Sequence, residues 1–193
     1  MCAASNVPQS LPTTVQRAAV ALVAIVFAVH VGVAAQAVTQ PALRAAFLYN
    51  FAKFTEWPGD VTPSSPLTLC VLDDSAVEGA LSELVGTGPI NGRAVAISRG
   101  PSARLRACHL LYVGDTNTAR TAAILDELRG APVLTVSDGA EFIRSGGIIG
   151  LIVDEGRMRF AINPDAAQRA GLRLSSRLLQ LAKISRDDRH DRP

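Results

Sequence analysis

Cys70 and Cys108 are the residues whose type and number most constrain the chemistry of this chain. A third cysteine, Cys2, lies in an N-terminal segment that is expected to be removed. In an exported chain, two remaining thiols favour a disulfide. Cys70 falls within an apolar strand pattern and Cys108 at the edge of another, and neighbouring strands bring such residues within bridging reach. Closing a loop of this length contributes roughly 4 kcal/mol by chain entropy. Two buried free thiols are the alternative reading. A redox-active pair would be expected as C-x-x-C, which is absent.

The other candidate chemistries are weak. His109 has no second His or Cys at ligand spacing once Cys108 is paired, which argues against a metal site. No serine stands in a G-x-S-x-G context, so His109 reads as a structural histidine and not a catalytic base. The run Gly86-Thr-Gly-Pro-Ile-Asn-Gly92 has the wrong spacing for a dinucleotide fingerprint and leads into a strand pattern. Ser145-Gly-Gly-Ile-Ile-Gly150 lacks the lysine of a phosphate-binding loop. Asp73-Asp74 and Asp154-Glu155 read as solvated turn residues. No catalytic residue, cofactor or metal is expected.

Composition narrows the class further. The net charge is +2 over 193 residues, and the arginines are scattered singly. A nucleic-acid surface would need clustered cations with interleaved aromatics, so no nucleic-acid partner is expected. Residues 1–37 carry a sparse positive start at Arg17, an apolar run from Ala18 to Ala35 and the cleavage pattern Ala35-Gln36-Ala37. They read as a signal peptide, with a mature chain starting at Val38. A retained membrane anchor is the alternative, since the run is about long enough to span a bilayer. Without Arg17, 18 cations face 17 acids.

The elements that must position these residues begin with Ala45–Pro58, AAFLYNFAKFTEWP. Thr39 and Pro41 supply a helix start and Pro58-Gly59 a stop. Leu43, Phe47, Phe51 and Phe54 recur at helical spacing and are expected to face a core. Strands are expected at Leu67–Leu72, Arg93–Ser98, His109–Val113, Pro132–Val136, Ile148–Val153 and Arg157–Ile162. The last two are joined by Asp154-Glu155-Gly156 as a hairpin. Helices are expected at Ala76–Leu84 and Thr116–Arg129, with Ala123, Ile124, Leu125 and Leu128 inward. At most one helical turn is expected at Glu141–Arg144. Asn163-Pro164 opens a helical region through Leu181, with a break at Gly171. This alternation predicts one α/β domain, residues 38–186, with a charged tail, 187–193, expected to be disordered. Its sheet is expected to be single and mostly parallel, with helices on both faces and a C-terminal antiparallel hairpin.

The strings AAFLYNFAKFTEWP, LCVLDD, GRAVAI, CHLLYV, PVLTVSD and GGIIGLIVDEGRMRFAINPDAAQRAGLRLSSRLLQLAKI together resemble the YfiR-like family of bacterial periplasmic proteins. The resemblance runs from Leu43 to Ile184, and the opening helix and the segment from Gly146 to Leu179 are its specific parts. It implies a regulator, not an enzyme. Such proteins bind the periplasmic part of an inner-membrane diguanylate cyclase and hold it inactive, lowering cyclic-di-GMP and biofilm formation. An outer-membrane lipoprotein can sequester the repressor, and dimers are a family feature. Cys70 and Cys108 match the family's structural cysteine pair. Some relatives carry a further pair that this chain lacks, which puts redox control through that pair in doubt here.

On this reading the partner-binding residues are expected among Tyr49, Lys53 and Trp57 of the opening segment and Arg157, Arg159 and Arg173 near the C-terminus. The competing reading is a periplasmic small-ligand-binding module without cyclase control. In it the Ser145–Gly150 turn and nearby arginines would hold an anionic metabolite. An exported enzyme is a third reading, disfavoured by the scarcity of bases and nucleophiles.

Overall fold

Thr39 starts the first helix as expected, its hydroxyl accepting the Ala42 N–H at 3.3 Å. Here, in a computed structural model, the described residues are 39–59, 65–86, 88–99, 104–115 and 117–186. The expected signal peptide, 1–37, and tail, 187–193, lie outside them. Helix α1 spans Gln40–Lys53, with Pro41 in its first turn. Its fully buried residues are Ala45, Leu48, Phe51 and Ala52. The expected stripe is therefore rotated. Phe51 is buried, while Leu43, Phe47 and Phe54 are only partly so. Two alanines allow close approach to the layer beneath, and the bulky rings flank that line. Phe47 and Phe51 both meet Phe160, with ring centroids 5.8 and 5.0 Å away.

The main sheet has seven strands. They are β2 (Leu67–Leu72), β3 (Val95–Arg99), β4 (Leu110–Val113), β5 (Leu134–Asp138), β6 (Ile149–Asp154), β7 (Arg157–Ile162) and β9 (Lys183–Ile184). Their spatial order is β3-β2-β4-β5-β6-β7-β9, parallel from β3 to β6, with β7 antiparallel to β6 and β9 parallel to β7. The turn between β6 and β7 has positive φ at both Glu155 (49°) and Gly156 (72°), as a two-residue hairpin requires. A separate antiparallel pair joins β1 (Thr55–Glu56) to β8 (Arg173–Leu174). The two-residue strands β1, β8 and β9 were not expected.

Helices α2 (Ser75–Val85), α3 (Thr118–Glu127), α4 (Ala140–Arg144), α5 (Pro164–Arg169) and α6 (Ser176–Leu181) complete the fold. Alternation along the strands divides the core. Leu69, Val71, Leu110, Tyr112, Leu134 and Val136 join Leu48 and Phe51 of α1 and Val77 and Leu81 of α2. Cys70, Leu72, Leu111 and Val113 instead join Ile124 of α3 and Leu128 just after it. Helices thus cover both faces, as expected of a doubly wound sheet. Ala123, expected inward, is exposed, because the buried line of α3 is Ile124 and Leu125.

The expected helical region after Asn163 is three short elements. Gly171, at φ 70°, stops α5, and the Leu172 N–H closes back onto the Ala167 carbonyl at 2.9 Å. The chain then extends into β8 before Ser175 caps α6 by accepting the Leu178 N–H.

Candidate functional site

Cys70 lies in β2 and Cys108 immediately before β4, the neighbour of β2 in the sheet. They form a disulfide with Cα atoms 5.9 Å apart, and both residues are buried in the second core. The pair is structural in its setting, packed with Leu72, Leu111, Val113 and Ile124.

The expected partner-binding residues fall into separate places. Lys53 is exposed at the end of α1, and Tyr49 is half-buried against the core. Trp57 is committed to the fold. Its indole N–H donates to the His109 carbonyl at 3.0 Å, and its ring meets the His109 ring edge-on at 5.7 Å. Arg173 stands opposite Glu56 across the β1–β8 pair, and with Trp57 it lines a cleft of about 370 Å³. Arg157 and Arg159 are exposed on β7, and Arg159 pairs with Asp154 at 3.4 Å.

His109 is built into the wall and not offered to a substrate. Its Nδ1 accepts the Thr68 N–H at 3.0 Å. Burial, and secondarily the charge of Arg93, lowers its pKa from the ordinary 6.5. The neutral ring is the form this setting holds.

Beside the hairpin lies an apolar groove of about 620 Å³, lined by Phe47, Ile152, Val153, Met158, Phe160 and Leu181 among others, with Arg159 and Lys183 in its wall. Val153 (66% exposed), Leu181 (72%) and Ile184 (50%) are the exposed large hydrophobics of the described residues. The sequence reading missed them. Strand alternation carried a signal, because Val153 shares its side of β6 with Ile149 and Leu151, which are buried. Val153 continues that line past the end of the core.

A second cavity, about 450 Å³, opens at the carboxyl ends of β2, β4 and β5. It is lined by Arg44, Asp74, Tyr112, Asp115, Asp138 and Glu141, with Ser145 and Phe142 nearby in the wall. Arg44 grips Asp138, Nε donating at 3.2 and 3.1 Å to the two oxygens and Nη2 at 2.6 Å to Oδ2. The buried Tyr112 hydroxyl donates to Asp138 Oδ1 at 3.3 Å. The Asp138 hydrogen bond raises the Arg44 pKa against the opposing effect of burial. Burial, reinforced by the charge of Asp138, raises the Tyr112 pKa. Of the Ser145–Gly150 turn, only Ser145 reaches this cavity. Gly146 and Ile148 of that turn instead line a smaller cavity, about 80 Å³, together with Arg129 and Arg169.

Among the described residues no three His, Cys, Asp or Glu side chains are grouped to hold a metal, and no helix is long and apolar enough to cross a membrane. The described residues form a disulfide-braced, doubly wound α/β domain with an exposed apolar edge. The chain belongs to the YfiR/HmsC-like family, whose sequence model matches residues 41–183. That family is periplasmic, regulatory and generally non-enzymatic. Among solved structures, the chain is similar to a conserved domain protein from Vibrio cholerae O1 biovar El Tor strain N16961. The two are 13% identical with a TM-score of 0.48, covering 76% of this chain and 60% of the other. It is also similar to the ABC domain in complex with L-Trp from Streptococcus pneumoniae, at 12% identity and a TM-score of 0.48, over 73% of this chain and 60% of that one. The chain thus spans about 60% of the length of these two structures.

Proposed function

We propose that this protein is exported, cleaved after Ala37, and represses an inner-membrane diguanylate cyclase by binding its periplasmic domain. Family membership over residues 41–183 is the observation that carries this reading. A repressor of this kind acts by linkage, binding the inactive cyclase more tightly than the active one. Moving a two-state enzyme from 1:99 to 99:1 takes about 5.5 kcal/mol of differential affinity.

The groove beside the hairpin supports a surface for this contact. Val153, Leu181 and Ile184 are exposed, and burying side chains of their size contributes roughly 1.5–3 kcal/mol each. Arg157, Arg159 and Lys183 lie on β7 and β9 beside the patch, so the partner is expected to present an apolar knob within an acidic rim. Tyr49, Lys53, Trp57 and Arg173 take a lesser part in this reading. An outer-membrane lipoprotein that captured the same surface would release the cyclase, and a homodimer would compete for it.

The test is intracellular cyclic-di-GMP in a strain lacking this gene. The level should rise, fall again with the wild-type gene, and stay high with the Val153→Asp/Leu181→Asp variant, whose melting temperature should match wild type. An unchanged level in the deletion strain, with the neighbouring cyclase expressed, would refute repression. It would leave the competing reading, a small-ligand-binding module without cyclase control.

A further inference from the structure

We propose that the outer edge of β7 receives an extended segment of a partner protein as an added strand, one in which acidic and apolar residues alternate. This rests on the reading of the hairpin groove as a protein contact, and it names the form and chemistry of what enters there.

The first reason is an unfinished edge. β7 runs from Arg157 to Ile162, but β9 pairs with it at Ala161 and Ile162 alone. The direction of the backbone groups along β7 is fixed at its end. The Asn163 N–H donates to the Ile148 carbonyl at 2.8 Å, toward β6, and the Ile162 carbonyl accepts the Ser185 N–H at 2.8 Å, from the β9 side. These directions alternate along an antiparallel pair, so Ile162, Phe160 and Met158 turn their backbone groups away from β6. Met158 lies beyond the reach of β9 pairing. Such an edge is a template for another chain. Space for one lies beside it, since the groove of about 620 Å³ is lined by Met158, Arg159 and Phe160 of β7 and by Leu181, Ala182 and Lys183 of the chain entering β9.

The side chains then select the occupant. Residues 157–160 read Arg-Met-Arg-Phe, basic and apolar in strict alternation. Phe160 meets Phe47 of α1 and Met158 packs on the same core, so Arg157 and Arg159 occupy the opposite face, where both are exposed. Val153, the register partner of Met158, extends the apolar face. Asp154 and Glu155 are the nearby acids, and Arg159 touches Asp154 at 3.4 Å with both groups more than half exposed. Arg157, Arg159 and Lys183 outnumber them. Opposite charges and apolar pairs across strands stabilise a sheet, and like charges oppose it. A matching strand therefore sets Asp or Glu toward the arginines and Val, Ile or Leu toward Met158 and Phe160. Its main-chain hydrogen bonds supply affinity and the alternation supplies specificity.

The experiment is fluorescence anisotropy of a labelled, end-capped peptide, Glu-Val-Glu-Ile-Glu-Val-Glu, titrated with the purified protein. Saturable one-to-one binding is expected. N-methylating every second amide should abolish binding in one of the two alternate sets and spare it in the other, because one edge of the added strand faces β7. Lysine in place of each glutamate should weaken binding at least tenfold, and Arg157→Glu/Arg159→Glu should reverse that preference at an unchanged melting temperature. Absence of saturable binding, equal effects of the two methylated sets, or wild-type preference in the charge-reversed variant would each overturn strand addition. Repression is read separately, from cyclic-di-GMP in the deletion strain, so a failure of strand addition leaves a rise there intact.

Discussion

Removing the disulfide is the perturbation whose size can be worked most directly from the structure. Cys70 and Cys108 are 38 residues apart, and the loop they close contains α2, β3 and the turn before β4. In the unfolded chain the bridge denies that loop its freedom, which corresponds to about 4 kcal/mol of native-state stability. For a domain of about 150 residues, each kcal/mol moves the melting temperature by roughly 2–4 °C, so the double variant Cys70→Ala/Cys108→Ala should melt about 10–15 °C lower. The assay is thermal unfolding followed by far-ultraviolet circular dichroism on the oxidised protein, the reduced protein and the variant. The reduced protein and the variant should agree closely, because both lose the same constraint. Alkylation of the oxidised protein after unfolding should label neither Cys70 nor Cys108. A drop of only a degree or two, or labelling of both cysteines without reductant, would refute the reasoning.

Two further outcomes concern single residues. Gly114→Ala should destabilise the protein by roughly 1–3 kcal/mol in urea unfolding, because the added methyl meets two backbone carbonyls that cannot both retreat. His109 should make stability depend on pH. Its folded pKa lies below 6.5, so the unfolded chain binds the extra proton first and stability, complete above pH 6.5, declines as pH falls through that value toward the folded pKa. The ring is part-buried, its Nδ1 already accepts the Thr68 N–H, and the charge of Arg93 lies nearby, so the setting disfavours a proton on Nδ1. His109→Asn should flatten this part of the profile, measured by urea midpoints between pH 8 and pH 5.

Much of the sheet was legible because its strands carry their own signals. Leu67–Leu72 and Arg157–Ile162 are strands with the expected bounds, since each is an apolar or alternating run closed by turn residues. The break at Gly171 followed from a residue suited to positive φ. The two-residue strands were not legible, since two residues have no periodicity and exist only by pairing with distant partners, as Glu56 does with Arg173. The buried face of α1 was misjudged because size was taken for depth, when the small Ala45 and Ala52 sit nearest the core. The cavity at the strand ends was hidden for a different reason. Asp74 and Asp138 look like solvated turn residues, and the arginine that grips Asp138 is 94 positions earlier. The residues at the hairpin groove were half-visible, as arginines named for their charge without the apolar patch beside them.

The aromatic contact between Phe51 and Phe160 joins the first helix to a strand 109 residues later. A chain made from its N-terminus at roughly 5–20 residues per second exposes Phe51 for about 5–20 s before its partner exists. During that interval α1 depends on nearer neighbours for cover, since Leu48 and Phe51 share a core with Leu69 of β2, Val77 and Leu81 of α2 and Leu110 of β4. The first half of the chain can therefore shelter its own opening helix, and the C-terminal hairpin closes over it last.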